Sequence, residues 1–551
     1  MNIRFAILML SLCIVVYLLG IQINLMDIDA SQYASISREM LANKSFLQVY
    51  DLGKDYLDKP PMLFWLSALS MKIFGINHFA YRLPSFIFAL LAIYSTYRLA
   101  LLYYKKEVAL LAALILASCQ AMFLMLHDVR TDTMLMGWVI FSIWQIAEWK
   151  QNKKFISFTL GCIAIAGGMM TKGPIALMVP VFAFGTDWVL KRDWKAFVRW
   201  EYILGIIIIA ILLLPMSYGL YRQFDMHPEK VLYNQTNVSG LRFFYWTQSF
   251  GRITGESVWK EYGTFYFLLQ NMLWSFLPWI IFFLTALVYE VYLLIKQRFK
   301  LLNNQEWISS GGFVVTYCAL ATSQYQLPHY IFIAFPLAAI VTAKFLYALL
   351  FENRYPKLKK NLFIFHAVVF SLLWIALIVL LWWPFPQLPK TAAIIALVFF
   401  AAFVFMLFAK KLPLPRILLL GFFTITGINL FLNTAFYPAL LQYQAGSVAG
   451  RFITKNHLPT NRVFIYHFTE GRSFHFYGQS VFGRLESLQQ IKKGDIILTD
   501  QNNLPAIDSA GFKVTVLLQG GDYHISMLSL RFLNPKKREG QLQKYVLAKL
   551  D

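Results

Sequence analysis

Six short groups of ionisable or hydroxyl-bearing residues interrupt a chain otherwise dominated by hydrocarbon, and their types define the chemistry on offer. Asp29 opens the stretch DASQYASISREM as a carboxylate able to orient or deprotonate an acceptor group. His127, Arg130 and Asp132 crowd into LHDVRTDTML, and ionisable groups packed beside hydrocarbon are functional candidates by default. Lys59 in DKPP (Asp58 to Pro61), Lys172 in TKGP, Arg252 in SFGRITG and Tyr330 in LPHY supply cations and a phenol, a set that suits a lipid-borne phosphate. Plainer readings stand alongside. Asp29 followed by Gln32 fits a helix capping box. Arg130 can pair with Asp132, an interfacial lysine can snorkel, and Asp27, Asp51 and Asp55 fit capping or solvated roles.

The elements that must hold these groups are membrane spans. The 551 residues are 58% hydrophobic, 17% aromatic and only 14% charged, with a mean hydropathy of +0.55, which places the chain among polytopic membrane proteins. About thirteen apolar runs of near-spanning length occur between 4–25 and 416–437. The first, Phe5 to Leu25, reads as a retained span rather than a cleaved leader. Alternate gaps are short and basic, among them Lys105–Lys106, Lys191–Arg199, Lys296–Lys300 and Arg354–Lys360, and by the positive-inside rule they face the cytoplasm. The net charge of +22 therefore records membrane orientation, and nucleic acid is not an expected partner. The opposite gaps hold all six candidate groups, two long loops (26–81 and 223–273) and everything after Tyr437.

Three helices are expected to lie at the outer surface. One carries Tyr33, Ile36, Ser37, Met40 and Leu41 at helical spacing behind Asp29; a second runs from Pro60 to Gly75 after a proline pair that suits a helix start; a third covers Gly263 to Leu273. Residues 1–438 form the membrane domain and 439–551 a small extracytoplasmic α/β domain, with strands at Val463–His467, Asp495–Thr499, Lys513–Leu518 and Tyr523–Leu528. Its basic end, Asn534 to Asp551, is expected to sit on anionic headgroups. The four cysteines (Cys13, Cys119, Cys162, Cys318) lie inside apolar runs and offer no disulfide framework. No glycine fingerprint or phosphate loop for nucleotides occurs, which argues against a nucleotide-fuelled pump.

Taken as a set, the groups carry a family resemblance. DASQYASISREM resembles the D-E-x-x-Y-A-x-I-x-R-E-M signature of the aminoarabinose-transferase branch of the protein O-mannosyltransferase superfamily; YLDKPP resembles its Y-x-E-K-P-P, VRTDTML its R-x-D-x-x-L, TKGP its T-K-G-P, and LPHYIFIAFP its L-P-x-Y before an apolar run and proline. Order, spacing and membrane side agree over roughly residues 1–350. The resemblance implies a GT-C glycosyltransferase of the bacterial inner membrane, with its active site and C-terminal domain on the periplasmic side. It implies Asp29 as the catalytic loop aspartate and Asp132 as the second, with Lys59, Arg252 and Tyr330 gripping the donor phosphate; Lys172 joins them as an outer-face cation. Arg130, Asp58 and Tyr33 support the site.

The implied partners are a polyprenyl-phosphate-linked sugar, a lipid A-like or other glycan or protein acceptor, and membrane lipids. Departures narrow the implication. Ala30 stands where the family has an acidic residue, Asp58 replaces its glutamate, and Trp246, Thr247 and Gln248 occupy the region where some members place a histidine, so a divalent metal is put in question and no other cofactor is called for. Protein O-glycosylation and lipid or sugar transport are the competing functions; transporters favour ionisable groups near the midplane and internal repeats, whereas here the acidic groups cluster in outer loops.

Overall fold

The computed structural model describes residues 3–27, 29–256, 263–302, 305–385 and 388–551. Helices occupy the apolar runs. Among the described residues, eight are long and apolar enough to cross a membrane, nine if Lys106–Ala117 and Gln120–His127, bent by 50°, count as one broken span. The remaining runs hold Thr131–Asn152, Ile175–Lys191, Ile280–Lys296 and Ile308–Ala321, which are shorter or carry more charge. The stringent count is thus below the thirteen expected from hydropathy: length and charge, not absence of helix, set these four apart. The chain is a multi-pass membrane protein built of helices.

The surface helices form. Asp29–Asn43 follows the first span, and Met62–Phe74 starts directly after Pro61. Phe267–Ser275 is the third. The Gln32 amide donates to Asp51 at 2.8 Å, a partner outside its own helix.

One buried guanidinium joins the two loops that matter. Arg82, 0% exposed, sits on the helix His78–Tyr103 and donates to the carbonyls of Ile21, Ile23 and Asn24, where the first span ends. It also donates to the carbonyl of His127 through Nε at 3.0 Å and Nη2 at 2.6 Å. Helix ends leave carbonyls without partners, and a planar five-donor fork satisfies several of them at once. His127 itself is fully buried, its ring 4.5 Å from that of Tyr437. It is a packing residue, not a member of the outer-loop cluster.

Beyond the last span, a five-stranded sheet pairs in the order Gly483–Leu485, Val463–Tyr466, Ile496–Asp500, Gln543–Leu550, Val514–Asp522, parallel among the first three and antiparallel thereafter. Two sequence expectations fail here. Residues 523–528 form no strand, and the expected headgroup-binding end contains the strand Gln543–Leu550, five of whose residues (Tyr545, Val546, Leu547, Ala548 and Leu550) are buried on the two faces of the sheet beside Ile496–Asp500. YVLAKL is a better strand than it is a lipid tether because its apolar residues are buried between two neighbours. Asp27 and Asp51 are also not solvated. Asp27 accepts from the backbone and hydroxyl of Ser473 at 2.9 and 2.6 Å, and Asp51 pairs with Arg472 at 3.2 Å, so the C-terminal unit holds the Asp29 loop directly. Asp55 pairs with Lys230 at 3.0 Å, and Gln223 exchanges hydrogen bonds with the backbone of Val49 at 2.8 and 3.0 Å, tying the two long loops to each other.

Two measurements check this frame. Arg82→Lys keeps the charge but loses the fork, so the purified protein is expected to lose about 2–4 kcal/mol of stability, read as a lower melting temperature. Asp522 accepts from the Ala445 N–H, yet burial pushes its carboxyl up to about 6. A raised folded-state value gives stability that is present at low pH and lost as pH rises through that value. Melting temperature is therefore expected to fall between about pH 4 and 6, and the fall is expected to be shallower in Asp522→Asn, which keeps the acceptor but cannot ionise.

Candidate active site

Each site residue arrives on a defined piece of backbone. Asp29 begins its surface helix, with Tyr33 one turn on. Arg130 caps the helix Thr131–Asn152, so Asp132 sits in the first turn, where a carboxylate favours the helix dipole. Lys172 ends the helix Phe155–Lys172, where a cation is favoured, and Gly173 turns the chain at φ +100°, a conformation that glycine alone tolerates readily, before Ile175–Lys191 descends. Arg252 lies in the short helix Gly251–Thr254 of the second long loop, and Tyr330 in the 3-10 segment Pro328–Ala334.

These pieces meet around one polar cavity of about 140 Å³, lined by Asp29, Tyr33, Asp58, Lys59, Arg130, Asp132, Arg252 and Tyr330 among others. Arg130 Nη1 lies 2.7 Å from Asp29 Oδ2, and Nη2 lies 3.1 Å from Asp128. Lys172 Nζ is 2.5 Å from Asp132 Oδ1. The pair expected between Arg130 and Asp132 is not made, since each has a better-placed partner. Lys59 Nζ lies 2.7 Å from Asp58, whose backbone and side chain accept from Gln248. Burial disfavours the Asp58 charge, but Lys59, Arg252 and Gln248 outweigh it and hold the carboxyl below its usual range. Burial works against Arg130 as well, and Asp128 and Asp29 overcome it. Burial, with Asp29 beside it, pushes the Tyr33 phenol well up, so it stays protonated.

Arg252 differs from the other cations. It is 9% exposed, donates to Tyr330 Oη at 2.8 Å and has no carboxylate partner among the described residues, while its buried Nε has no hydrogen-bond partner there at all. Tyr330, accepting from Arg252, keeps its own proton free to donate. Lys172 lies 4.0 Å from the Tyr330 ring centroid.

Sequence reading missed His329. Its Nε2 is 3.5 Å from Asp132 and its Nδ1 3.3 Å from Arg130 Nη1. A guanidinium only donates, so Nδ1 accepts and the ring proton sits on Nε2, facing Asp132. His329 thus bridges the two halves of the charge chain that runs from Asp29 to Lys172. The available signal was its position beside Tyr330 in a short outer gap. The site residues do not fit a metal centre, because Asp29 and Asp132 already face Arg130 and Lys172, and the described residues hold no cluster of three or more His, Cys, Asp or Glu placed around an ion.

A second cavity of about 140 Å³ shares Lys59, Asp132, Arg252 and Tyr330 with the first and runs between the helices Ile175–Lys191 and Ile308–Ala321 past Ile175, Met178 and Leu320. Phe182 leads from it into an apolar groove of about 460 Å³ along Val181, Val189, Val314 and Val315.

Known proteins resemble this chain in sequence and fold. A family model for dolichyl-phosphate-mannose-protein mannosyltransferase matches residues 58–218. An undecaprenyl phosphate-alpha-4-amino-4-deoxy-L-arabinose arabinosyl transferase of Erwinia tasmaniensis is 28% identical over 283 residues, 50% of this chain and 48% of the relative, so the chain spans about half the length of that protein. An uncharacterized protein of Aquifex aeolicus is 27% identical over 493 residues, 85% of each chain. The crystal structure of ArnT from Cupriavidus metallidurans bound to undecaprenyl phosphate superposes with a TM-score of 0.74 at 16% identity, covering 100% of this chain and 98% of that one. The fold is thus shared from end to end with that transferase structure, and over the stretches matched the sequence is similar to the arabinosyl transferases and to the mannosyltransferase family model.

Proposed function

We propose that this protein transfers a sugar from a polyprenyl-phosphate donor to a lipid A-like or other cell-envelope acceptor. The observation that carries the reading is the junction of two spaces: a polar cavity holding Lys59, Arg252 and Tyr330 opens onto an apolar groove between two membrane helices. A lipid phosphate has those two chemistries in that order. The proposed place of reaction is the periplasmic face of the inner membrane, with residues 1–438 as the catalytic domain and 439–551 as a unit that braces the Asp29 loop. The relatives named as undecaprenyl-phosphate arabinosyl transferases support the donor class. A protein hydroxyl as acceptor is the second reading, favoured by the protein mannosyltransferase model that matches residues 58–218.

In the proposed reaction an acceptor oxygen attacks the anomeric carbon, its bond forms as the bond from that carbon to the phosphate oxygen breaks, and the polyprenyl phosphate leaves with the electron pair. Charge grows on the leaving phosphate. Arg252, whose Nε lacks a partner among the described residues, Lys59 and the free proton of Tyr330 offset it where water is scarce. Asp29 lines the same cavity and positions the acceptor; a hydroxyl acceptor gives it a proton, whereas a phosphate acceptor is already anionic and needs none. Asp132 faces developing positive charge on the sugar, and Lys172 and His329 hold it in place. Lys172 therefore moves from the phosphate grip, where its sequence context put it, to a supporting place beside Asp132.

Purified Asp29→Asn and Lys59→Ala, assayed in detergent with a polyprenyl-phosphate sugar and no gradient, are each expected to lose about a hundredfold or more of transfer while melting normally. Near-normal transfer by Asp29→Asn sinks its role, and no transfer by the wild-type protein with any polyprenyl-phosphate sugar favours transport. Mass spectrometry of envelope lipids and glycoproteins from cells with and without the protein is expected to show one missing sugar modification, and the fraction that changes chooses between the two acceptors.

A further inference from the structure

At the far end of the helix Phe335–Leu350 from the candidate site lies a second polar space that the transfer reaction does not use. It measures about 230 Å³ and is walled by Tyr103 and Tyr104 at the end of His78–Tyr103, by Tyr289 and Glu290 on Ile280–Lys296, by Glu306 before Ile308–Ala321 and by Lys344 on Phe335–Leu350, with Arg354 and Tyr355 beyond. The helix Phe335–Leu350 begins beside Tyr330 and ends here, so the helix separates this cavity from the candidate site.

Its charges do not cancel in place. Glu290 is paired, with Lys344 Nζ at 2.8 Å. Glu306 is buried yet makes no ion pair among the described residues; it accepts from the Tyr104 hydroxyl and from the backbone and hydroxyl of Ser309 at 2.9 and 2.5 Å, all neutral donors. A carboxylate has about four acceptor positions, so one remains for a further N–H donor. A buried carboxylate next to hydrocarbon calls for a cation. The aromatic walls favour the same occupant: Lys344 Nζ already lies 5.7 Å from the Tyr104 ring, and the hydroxyls of Tyr289 and Tyr355 hold their rings together at 2.8 Å. At the exposed edge stands Arg354, paired with Glu352 at 2.9 Å but with its guanidinium still open to solvent, and the neighbouring gaps carry Lys105, Lys106, Lys296 and Arg298, so the edge as a whole is a setting for an anion. The polarity therefore runs from a carboxylate inside to guanidinium outside.

We propose that this cavity binds an ammonium–phosphate unit of the ethanolamine phosphate type, with its primary ammonium donating to Glu306 and its phosphate at Arg354. A quaternary ammonium lacks the N–H that Glu306 still has room to accept. The unit comes either from a phospholipid of the facing leaflet or from a free phosphodiester, and the test separates them. Full-length protein in mixed micelles with equal phosphatidylethanolamine and phosphatidylglycerol is examined by native mass spectrometry for bound lipid; in a second arm, glycerophosphoethanolamine is titrated without lipid. The expected result is about fivefold preference for phosphatidylethanolamine, the scale of one charge-assisted contact, falling to parity in Glu306→Gln. Binding in the lipid arm alone assigns the source to the membrane, and binding in both arms shows that the headgroup suffices. Because Glu306 also caps a helix, Arg354→Ala, which leaves that cap intact, is run beside it and is expected to weaken retention as well. Equal retention of the two lipids by the wild-type protein with no binding of glycerophosphoethanolamine overturns the proposal, as does a preference unchanged in both variants.

Discussion

Charge held beside hydrocarbon must be neutralised by its neighbours, and the site is built around that constraint. Asp29, Arg130, His329, Asp132 and Lys172 form a continuous chain of contacts in which every carboxylate has a cation and the imidazole joins the two pairs. Such an arrangement keeps ionised groups at the membrane edge where isolated ones would be neutralised or excluded. It also leaves Arg252 as the odd member, a buried cation whose partner is a phenol. The local imbalance is where an anionic ligand gains most.

Because the charge chain draws on segments distant in sequence, something must fix those segments relative to one another. Arg82 does so from below, clamping the exit of the first span to the turn before Arg130. Ser473 and Arg472 do so from above through Asp27 and Asp51. The C-terminal unit thus contributes no residue to the polar cavity but holds the helix that carries Asp29 from the other side. A soluble appendage in that position is part of the site's support, and its fold tolerates change better at its outer edge than at Gly471, where a Cβ would lie 2.0 Å from the Asp27 carboxylate.

Much of this was legible in the sequence. The apolar runs, the two-sided distribution of charge, the surface helices and the gathering of six outer groups all follow from short-range composition, and DKPP, TKGP and LPHY mark the turns where the chain meets the membrane surface. The failures are those of partner choice. The plainer alternatives put Gln32 on its own helix end and Asp132 beside Arg130, whereas Gln32 reaches Asp51 and Asp132 meets Lys172, forty residues away. His329 was passed over beside a more familiar tyrosine, and His127 was counted in a cluster from which it is buried away. In the C-terminal unit, the net charge of the last segment suggests a headgroup tether, whereas the apolar run of YVLAKL, buried on both faces of the sheet, decides its place as a central strand.

The sequence by itself determined that this is a polytopic membrane protein and which residue types stand in the gaps between its apolar runs, because hydropathy and the charge of short loops are local properties that the bilayer reads directly. Only the tertiary structure decided which cation faces which carboxylate, that Arg252 is left without one among the described residues, and that an apolar groove opens onto the same cavity. Those are matters of a few ångströms between segments a hundred residues apart, and they are set by packing that no local pattern encodes.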